Sequence, residues 1–149
     1  MKGEPRTLIA VHYADLNGFK SINDSYGHPV GDALLSAVGQ RITRVIRSSD
    51  MAARLGGDEF AVVQYGIETE AHAQYLAERL VTVIAQPFQI EGHTLNVSMS
   101  LGYIVREAGP DGLDHLLGLA DKALYASKRG AGRVTRYTPP ESGDERAVA

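Results

Sequence analysis

The stretch RLGGDEFAVV, residues 54–63, decides how the first half of the chain folds. Two glycines separate the segment MAARL, residues 51–55, from the apolar segment FAVVQY, residues 60–65. Two short segments of this kind, joined by a glycine-rich turn, are typical of a β-hairpin. The adjacent carboxylates Asp58 and Glu59 then lie at the hairpin tip. Taken alone they need no function, because Gly and Asp are ordinary turn residues and charges there are simply solvated.

The segments around this hairpin predict the remaining elements. Before it, TLIAVHYA (7–14) has the composition of a buried strand that ends at Asp15. The apolar spacing of VGDALLSAVGQRITRVIRS (30–48) is that of an amphipathic helix. Further patterns predict a short helix before Gly27, a helix over 69–86 with Thr69 as N-cap, a hairpin turning at Glu91-Gly92, a helix over 112–130 and a last strand in RVTRY.

The order strand, helix, hairpin, helix, hairpin, helix, strand predicts an α+β fold of the ferredoxin-like or palm type. Its central sheet is rich in antiparallel pairs, with the helices packed on one face. A right-handed crossover makes the first strand parallel to the first strand of the 51–65 hairpin, with the second hairpin strand between them. Asp15 then reaches the sheet end that carries Asp58 and Glu59. Three crowded carboxylates repel one another unless a cation compensates them, and hard oxygen ligands suit Mg²⁺.

Composition limits the classes of protein to consider. The chain has 149 residues, 44% of them hydrophobic, which predicts one domain over residues 1–138 and a polar tail over 139–149. There is no cysteine, which favours a reducing compartment and hence the cytoplasm. The net charge of −3 predicts no nucleic-acid partner, and no apolar run is long enough for membrane contact.

Four stretches in fixed order carry a family resemblance. They are DLNGFKSINDSYGHPVGDALL (15–35), RSSDMAARLGGDEF (47–60), VSMSLGY (97–103) and ADKALYASK (120–128). With these the chain resembles the GGDEF family of diguanylate cyclases. The resemblance implies an enzyme that condenses two GTP into cyclic di-GMP and releases pyrophosphate, with Mg²⁺ or Mn²⁺ as cofactor. Because one domain would hold one GTP, it also implies a homodimer, at least a transient one.

The resemblance also implies a role for each matching residue. The metal would be held by Asp15, Asp58 and the main-chain carbonyl of Leu16. Glu59 would be a further ligand or would help to deprotonate the attacking hydroxyl, so that Asp58 and Glu59 form the catalytic pair. The substrate-binding set would be Asn23 and Asp32 for guanine, Lys20, Lys128 and Arg133 for phosphate, and Gly56 and Gly57 for close approach of the backbone.

Each of these substrate roles has a structural alternative. Asp32 would be favoured in the first turn of a helix by the helix dipole. Asn23 alone would more often be a turn residue, and a lone surface lysine is usually only solvated. Phe19 and Phe60 are assigned to core packing rather than to chemistry.

Arg47 and Asp50 match, by their R-x-x-D spacing, the product-inhibition site of the family. An arginine fork can bind phosphate or a guanine edge, and Asp50 could accept from guanine donors. The alternative is an arginine at a helix C-terminus followed by an acid that opens the next strand.

Three departures qualify the resemblance. The helical segment that usually opens the family's domain is lacking, residue 17 is Asn where many relatives have Asp, and the expected basic residue at 132 is Gly, with Arg133 one position later. These departures keep a second function open, that of a catalytically silent module. Such a module would bind GTP or cyclic di-GMP and regulate a partner or an attached EAL-type domain. The resemblance also implies control by an attached sensor.

Overall fold

The computed structural model describes residues 7–131 and 133–139. Its strands are β1 (Leu8–Asn17), β2 (Met51–Gly56), β3 (Glu59–Ile67), β4 (Phe88–Ile90), β5 (His93–Leu95), β6 (Ser98–Glu107) and β7 (Val134–Arg136). Its helices are α1 (Phe19–Tyr26), α2 (His28–Val45), α3 (Glu70–Ile84) and α4 (Leu113–Ala126), the last continued by a π-helical turn over Ser127–Ala131.

Five strands form the central sheet, in the order β2-β3-β1-β6-β7. The central strand β1 is antiparallel to both of its neighbours, β3 and β6, while β7 is parallel to β6. Since β2 is antiparallel to β3, it runs parallel to β1 with β3 between them. The predicted α+β class and the predicted arrangement of the first three strands are confirmed.

Helices cover both faces of this sheet. Helices α1, α2 and α3 pack on the face that includes Ala10, Ala14 and Leu101. Helix α4 packs on the opposite face, where Leu119 and Ala123 belong to a second core. The expectation that the helices lie on one face is therefore wrong. The physical reason is that β1, β3 and β6 are apolar at successive positions, so both faces need a cover.

Helix α4 approaches the sheet closely at Gly102 of β6. A Cβ atom on Gly102 would lie 2.1 Å from the main-chain nitrogen of Leu124 and 2.4 Å from the main-chain oxygen of Ala120. Both atoms belong to helix backbone, which cannot give way as a flexible side chain could. The absence of a side chain at this position therefore allows α4 to lie directly against the sheet.

The second hairpin differs from its prediction. Its turn at Glu91-Gly92 is confirmed, with φ of +49° and +83°, but the following strand is divided. Strands β4 and β5 form a separate two-stranded sheet, and β6 joins the central sheet from Ser98. Arg41 of α2 fixes the entry to this small sheet, because its guanidinium donates to the main-chain oxygens of Val83, Gln86 and Pro87 and stacks on Phe88 at 3.5 Å.

Of the predicted tail, residues 140–149 lie outside the described residues, so the domain boundary at 138 stays a prediction. Within the described part of the chain, no helix combines the length and the apolar character needed to cross a bilayer.

Candidate active site

The backbone brings Asp15 and the acidic hairpin tip together. Asp15 is paired in register with Glu59, the first residue of β3. The main-chain N–H of the next residue, Leu16, donates to the main-chain oxygen of Asp58 at 3.2 Å. Residues separated by more than 40 positions in the sequence are therefore adjacent at one end of the sheet.

The glycines shape the turn between β2 and β3. Gly56 is the register partner of Glu59, so the turn itself consists of Gly57 and Asp58. Gly57 has a φ of +50°, in the left-handed region that favours glycine. The Nη1 atom of Arg54 donates to the Gly57 carbonyl at 2.6 Å and so fixes the turn from its β2 side. Arg54 was not among the predicted site residues, although its place just before the glycines is visible in the sequence.

Tyr13 supports the second acid of the pair. Its hydroxyl donates to Oε1 of the half-buried Glu59 at 3.1 Å. Burial, together with the Glu59 carboxylate that accepts this bond, raises the pKa of Tyr13 to about 12. The phenol therefore remains protonated and keeps donating at neutral pH. Tyr13 was also not among the predicted site residues, although a residue two positions before Asp15 on a strand lies on the same face.

Asp15 is a buried carboxylate with one partner and one open position. Its side chain is 9% exposed, and its Oδ2 accepts from Nζ of Lys128 at 2.5 Å. Its Oδ1 atom is buried and has no hydrogen-bond partner among the described residues. The hydrogen bond to Asp15 raises the pKa of the Lys128 ammonium, so this lysine is charged. The family resemblance implies that Lys128 binds phosphate. In the structure its ammonium forms an ion pair with Asp15.

This arrangement can accept a divalent metal with help from a substrate. Within 7–131 and 133–139, no group of three or more His, Asp or Glu side chains is arranged to hold a metal by itself. Mg²⁺, however, is usually held by one or two carboxylates together with substrate phosphates and water. Oδ1 of Asp15 is unpartnered among the described residues, and the next residue along the chain bonds to the Asp58 main chain. This oxygen is a donor of the required kind. The residues present fit such a metal.

Asn23 and Asp32 lie on neighbouring helices. The Oδ1 atom of Asn23 on α1 is buried, and no described residue offers it a hydrogen bond. It contacts α2 at Gly31, where a Cβ atom would lie 2.1 Å from it. Asp32 follows Gly31 and is exposed. Because α2 begins at His28, Asp32 lies beyond its first turn, and the helix-dipole explanation for this residue is wrong.

A groove of about 840 Å³ joins this helical side to the hairpin. Asp32, Leu35 and Gly39 line it from α2, and Arg54 and Phe60 line it from β2 and β3. Phe60 is also 4% exposed and part of the core, as predicted, and Phe19 packs against the same core. The groove offers apolar walls with one acid, Asp32, and two arginines, Arg44 and Arg54, a combination suited to a planar polar ring.

The remaining predicted phosphate ligands are exposed. Lys20 lies on α1, the helix that also carries Asn23. Arg133 precedes β7, and its main-chain oxygen accepts from the N–H of Leu101 at 2.8 Å. Position 132 lies outside the described residues. Asn17, the departure from the family pattern, donates through Nδ2 to Ser98 and Ser100 of β6.

Arg47 and Asp50 form a closed pair beside β3. The Asp50 carboxylate accepts from the main chain and the guanidinium of Arg47, and Nη2 of Arg47 also donates to the Tyr65 carbonyl at 2.9 Å. The hydrogen bond to Asp50 raises the pKa of Arg47. The side chain of Asp50 is 2% exposed, whereas that of Arg47 is 51% exposed. Asp50 therefore holds the arginine, and only the guanidinium faces outward.

Comparison with known proteins identifies the family. Residues 2–133 match the family model described as "Diguanylate cyclase, GGDEF domain". The chain is 44% identical over 120 residues to the bifunctional diguanylate cyclase/cyclic di-GMP phosphodiesterase MucR of Pseudomonas aeruginosa, a match covering 80% of this chain and 17% of MucR. The chain belongs to the GGDEF family.

Solved structures agree with this assignment. The GGDEF domain of TpbB, also called YfiN, from Pseudomonas aeruginosa is 35% identical, with a TM-score of 0.83 over 89% of this chain and 84% of that one. The GGDEF domain of DgcB from Caulobacter crescentus, solved in complex with cyclic di-GMP, is 32% identical, with a TM-score of 0.78 over 88% and 78% of the two chains. The chain spans 17% of the length of the first curated relatives that it matches.

Proposed function

We propose that the chain is a diguanylate cyclase domain, extending over residues 1–138, that condenses two GTP into cyclic di-GMP with release of pyrophosphate. The observation that carries this proposal is the contact of the first strand with the acidic turn. There Asp15 pairs in register with Glu59, and the Leu16 N–H bonds to the Asp58 carbonyl. Family membership supports the same chemistry. In the reaction the 3′-hydroxyl of one GTP attacks the α-phosphorus of the other.

The residues of this chain would divide the work between two sides of the site. Asp15, Asp58 and the Leu16 carbonyl would hold Mg²⁺ or Mn²⁺, with Glu59 as a further ligand or as acceptor of the hydroxyl proton. A bound divalent ion would lower the pKa of the attacking hydroxyl and neutralise charge on the phosphate oxygens. The hydrogen bond from Tyr13 orients the Glu59 carboxylate towards one position.

The helical side would bind the substrate. Asn23 and Asp32 would bind guanine, because a carboxylate can accept from both N1–H and the amino group of guanine, a donor pair that adenine lacks. Asp32 lines the groove whose other wall is the hairpin, which supports this role. Lys20 and Arg133 would bind phosphate, and Gly56 and Gly57 would let phosphates approach the backbone.

Two further features belong to the proposal. One domain would hold one GTP, so two copies must meet with their sites facing, as a homodimer that forms at least transiently. Cyclic di-GMP would inhibit by binding to the exposed guanidinium of Arg47, which the buried Asp50 holds in place. In a longer protein, an attached sensor or EAL-type domain would supply the control.

An assay of product formation tests the proposed activity. The protein is incubated with GTP and Mg²⁺, and cyclic di-GMP and pyrophosphate are quantified for the wild type and for Asp58→Asn. We expect product from the wild type and none from the variant. The matched control is Asp111→Asn, which removes an exposed acid from the loop after β6, at the opposite end of the sheet, and should retain activity.

The same assay decides against the proposal if the wild type binds GTP without turnover at high protein concentration. That result would support the silent module, which binds nucleotide and regulates a partner. Equal activity of the wild type and Asp58→Asn would contradict the assigned role of the hairpin acids.

A calorimetric titration tests product inhibition separately. Cyclic di-GMP is titrated into the wild type, Arg47→Ala and the control Arg79→Ala, which removes an exposed arginine from α3. Loss of one charged hydrogen-bonding group should weaken binding about tenfold or more, with Arg79→Ala unchanged. Equal affinities of the wild type and Arg47→Ala would remove the inhibitory site from the proposal.

A further inference from the structure

In the ion pair between Lys128 and Asp15, the lysine ammonium lies against the carboxylate that the proposed function assigns to the metal ion. The Lys128 ammonium lies 2.5 Å from Oδ2 of Asp15, on a carboxylate whose side chain is 9% exposed. A buried carboxylate is costly unless a positive charge compensates it, and in the described structure Lys128 supplies that charge. The lysine therefore neutralises the carboxylate while no nucleotide is bound.

The lysine is anchored at its backbone, and its side chain is flexible. It is the second residue of the π-helical turn that continues α4. The preceding residue, Ser127, is buried and its hydroxyl contacts the Leu101 carbonyl at 3.2 Å and the Thr135 hydroxyl at 2.6 Å. The Lys128 side chain is 46% exposed and flexible along its four-carbon stem. Its ammonium can thus leave Asp15 without movement of the helix.

The charges of a divalent ion and of a triphosphate predict when the ion pair between Lys128 and Asp15 opens. A divalent ion that approaches Asp15 alone meets the ammonium and is repelled by it. A nucleotide triphosphate adds several negative charges, to which the ammonium can move while the carboxylate turns to the metal. Both cations are then compensated, and no buried charge is left without a partner.

From this geometry we infer that Lys128 is the counter-ion of Asp15 in the nucleotide-free domain and exchanges to the triphosphate on substrate binding, so that the domain takes up metal and nucleotide together. The inference rests on the proposed function, in which Asp15 is a metal ligand. It adds an ordered uptake, which prevents the domain from holding a metal without its substrate.

Binding of Mn²⁺ to the nucleotide-free protein tests the exchange without any turnover. Free Mn²⁺ is measured by electron paramagnetic resonance with the wild type, Lys128→Gln and Lys128→Arg. We expect Lys128→Gln to bind Mn²⁺ about tenfold or more tightly than the wild type, and Lys128→Arg to stay weak because it keeps the charge. The matched control is Lys122→Gln on α4, which removes the same charge from the same helix and should leave Mn²⁺ affinity unchanged.

Two further measurements make the outcome decisive. Affinity for a non-hydrolysable GTP analogue should fall in Lys128→Gln and not in Lys122→Gln. Because removal of Lys128 leaves Asp15 without its counter-ion, Lys128→Gln should melt at a lower temperature, and Mn²⁺ should raise that temperature more than it does for the wild type. Each of these results supports the exchange.

The contrary results separate this inference from the proposed function. If Lys128→Gln binds Mn²⁺ no better than the wild type, while Asp15→Asn in the Lys128→Gln protein abolishes binding, the exchange is overturned and the metal role of Asp15 stands. If Asp15→Asn leaves Mn²⁺ binding of the Lys128→Gln protein unchanged, the metal role of Asp15 fails, and the inference fails with it.

Discussion

Tyr13 shows how one hydroxyl can orient an acidic side chain of the candidate site. Glu59 begins β3, directly after the glycine turn. The phenol of Tyr13 reaches it from the neighbouring strand at 3.1 Å. Since the raised pKa keeps this phenol protonated, the carboxylate meets a hydrogen-bond donor at Tyr13 and not a phenolate.

Replacing Tyr13 by Phe should therefore lower kcat and leave the KM for GTP unchanged. A hydrogen bond to a charged group contributes about 1.5 kcal/mol, which corresponds to a loss of about tenfold in kcat. Steady-state kinetics of cyclic di-GMP formation measures the effect. The control Tyr75→Phe removes a hydroxyl that is exposed on α3. An unchanged kcat, or a change in KM alone, would contradict the role given to Tyr13.

His12 makes stability depend on pH. Its ring is 1% exposed, stacks on Tyr103, and bonds through Nε2 to Oε1 of Gln64 at 2.8 Å, while Nδ1 is buried with no partner in the described part of the chain. Burial lowers the pKa of His12 from 6.5 to about 4. The folded protein therefore resists protonation of this ring, whereas the unfolded chain accepts it.

The sign of the effect follows from these two pKa values. Above pH 6.5 neither state is protonated at His12, and its contribution to stability is complete. As the pH is lowered from 6.5 to 4, the unfolded chain takes up a proton at His12 and the folded protein does not. The free energy of unfolding therefore falls, by about 3 kcal/mol in all. Denaturant titrations at several pH values should show this slope in the wild type and in His93→Gln, a variant at an exposed histidine. The slope should be largely absent in His12→Leu; an equal slope there would refute the assignment.

Among the elements, α4 most directly connects packing with the site. It covers the second face of the sheet, and the π-helical turn that continues it delivers Lys128 to Asp15. Its distance from the sheet is set at Gly102 of β6, where the main chain of α4 lies directly against the main chain of the strand. Helical turns of the π type often occur at functional positions, and here one turn carries the ion-pairing lysine.

Two glycine-to-alanine changes should therefore have opposite effects on stability. Gly102→Ala should lower the free energy of unfolding by about 3 kcal/mol or more, because its Cβ atom would push α4 away from β6. Gly118→Ala should raise it by about 0.5–1 kcal/mol, since Gly118 is an exposed position on the same helix with open space around it. Urea unfolding of both variants measures the difference. A stable Gly102→Ala protein would show that α4 is not closely held.

For the whole molecule, the sequence predicted the sheet better than it predicted which faces of the sheet the helices cover. The arrangement of the first three strands and the meeting of Asp15 with the hairpin followed from periodicity, chain order and right-handed crossover. Helical periodicity says that α4 has an apolar side, but not which face of the sheet it covers. The apolar runs AVV and YIV in β3 and β6, each with both alternating positions buried, were the available signal that two faces needed a cover.

Other features could not be predicted because no local pattern encodes them. The alternation from Leu95 to Tyr103 continues through the residues at which β5 ends and β6 begins, so it does not reveal the break. The pairing of Lys128 with Asp15 joins residues 113 positions apart, and any surface lysine near the site would have looked the same in the sequence. Likewise, the R-x-x-D spacing did not show that the Asp50 side chain is buried and paired with Arg47.

The need for two copies predicts how activity depends on protein concentration. If each domain holds one GTP, specific activity should fall on dilution, because the encounter of two domains becomes limiting. Adding an excess of Asp58→Asn protein should lower the activity of the wild type further, since mixed pairs complete at most one of the two bonds. Cyclic di-GMP formation across a dilution series measures both effects. Constant specific activity at concentrations where sedimentation finds only monomers would contradict the pairing.

Asp15 and the acidic turn at Asp58 are attached to the sheet in different ways. Asp15 lies on β1, which has a bonded neighbour along each side, whereas the strand leading to Gly57 is the outermost one, and all six of its residues are exposed. Deuterium uptake should accordingly be slow along Leu8–Asn17 and fast along Met51–Gly56. The position of Asp15 on β1 is therefore fixed, whereas β2 can bend away from β3. The residence time of a bound molecule would then depend on how often β2 separates from the sheet.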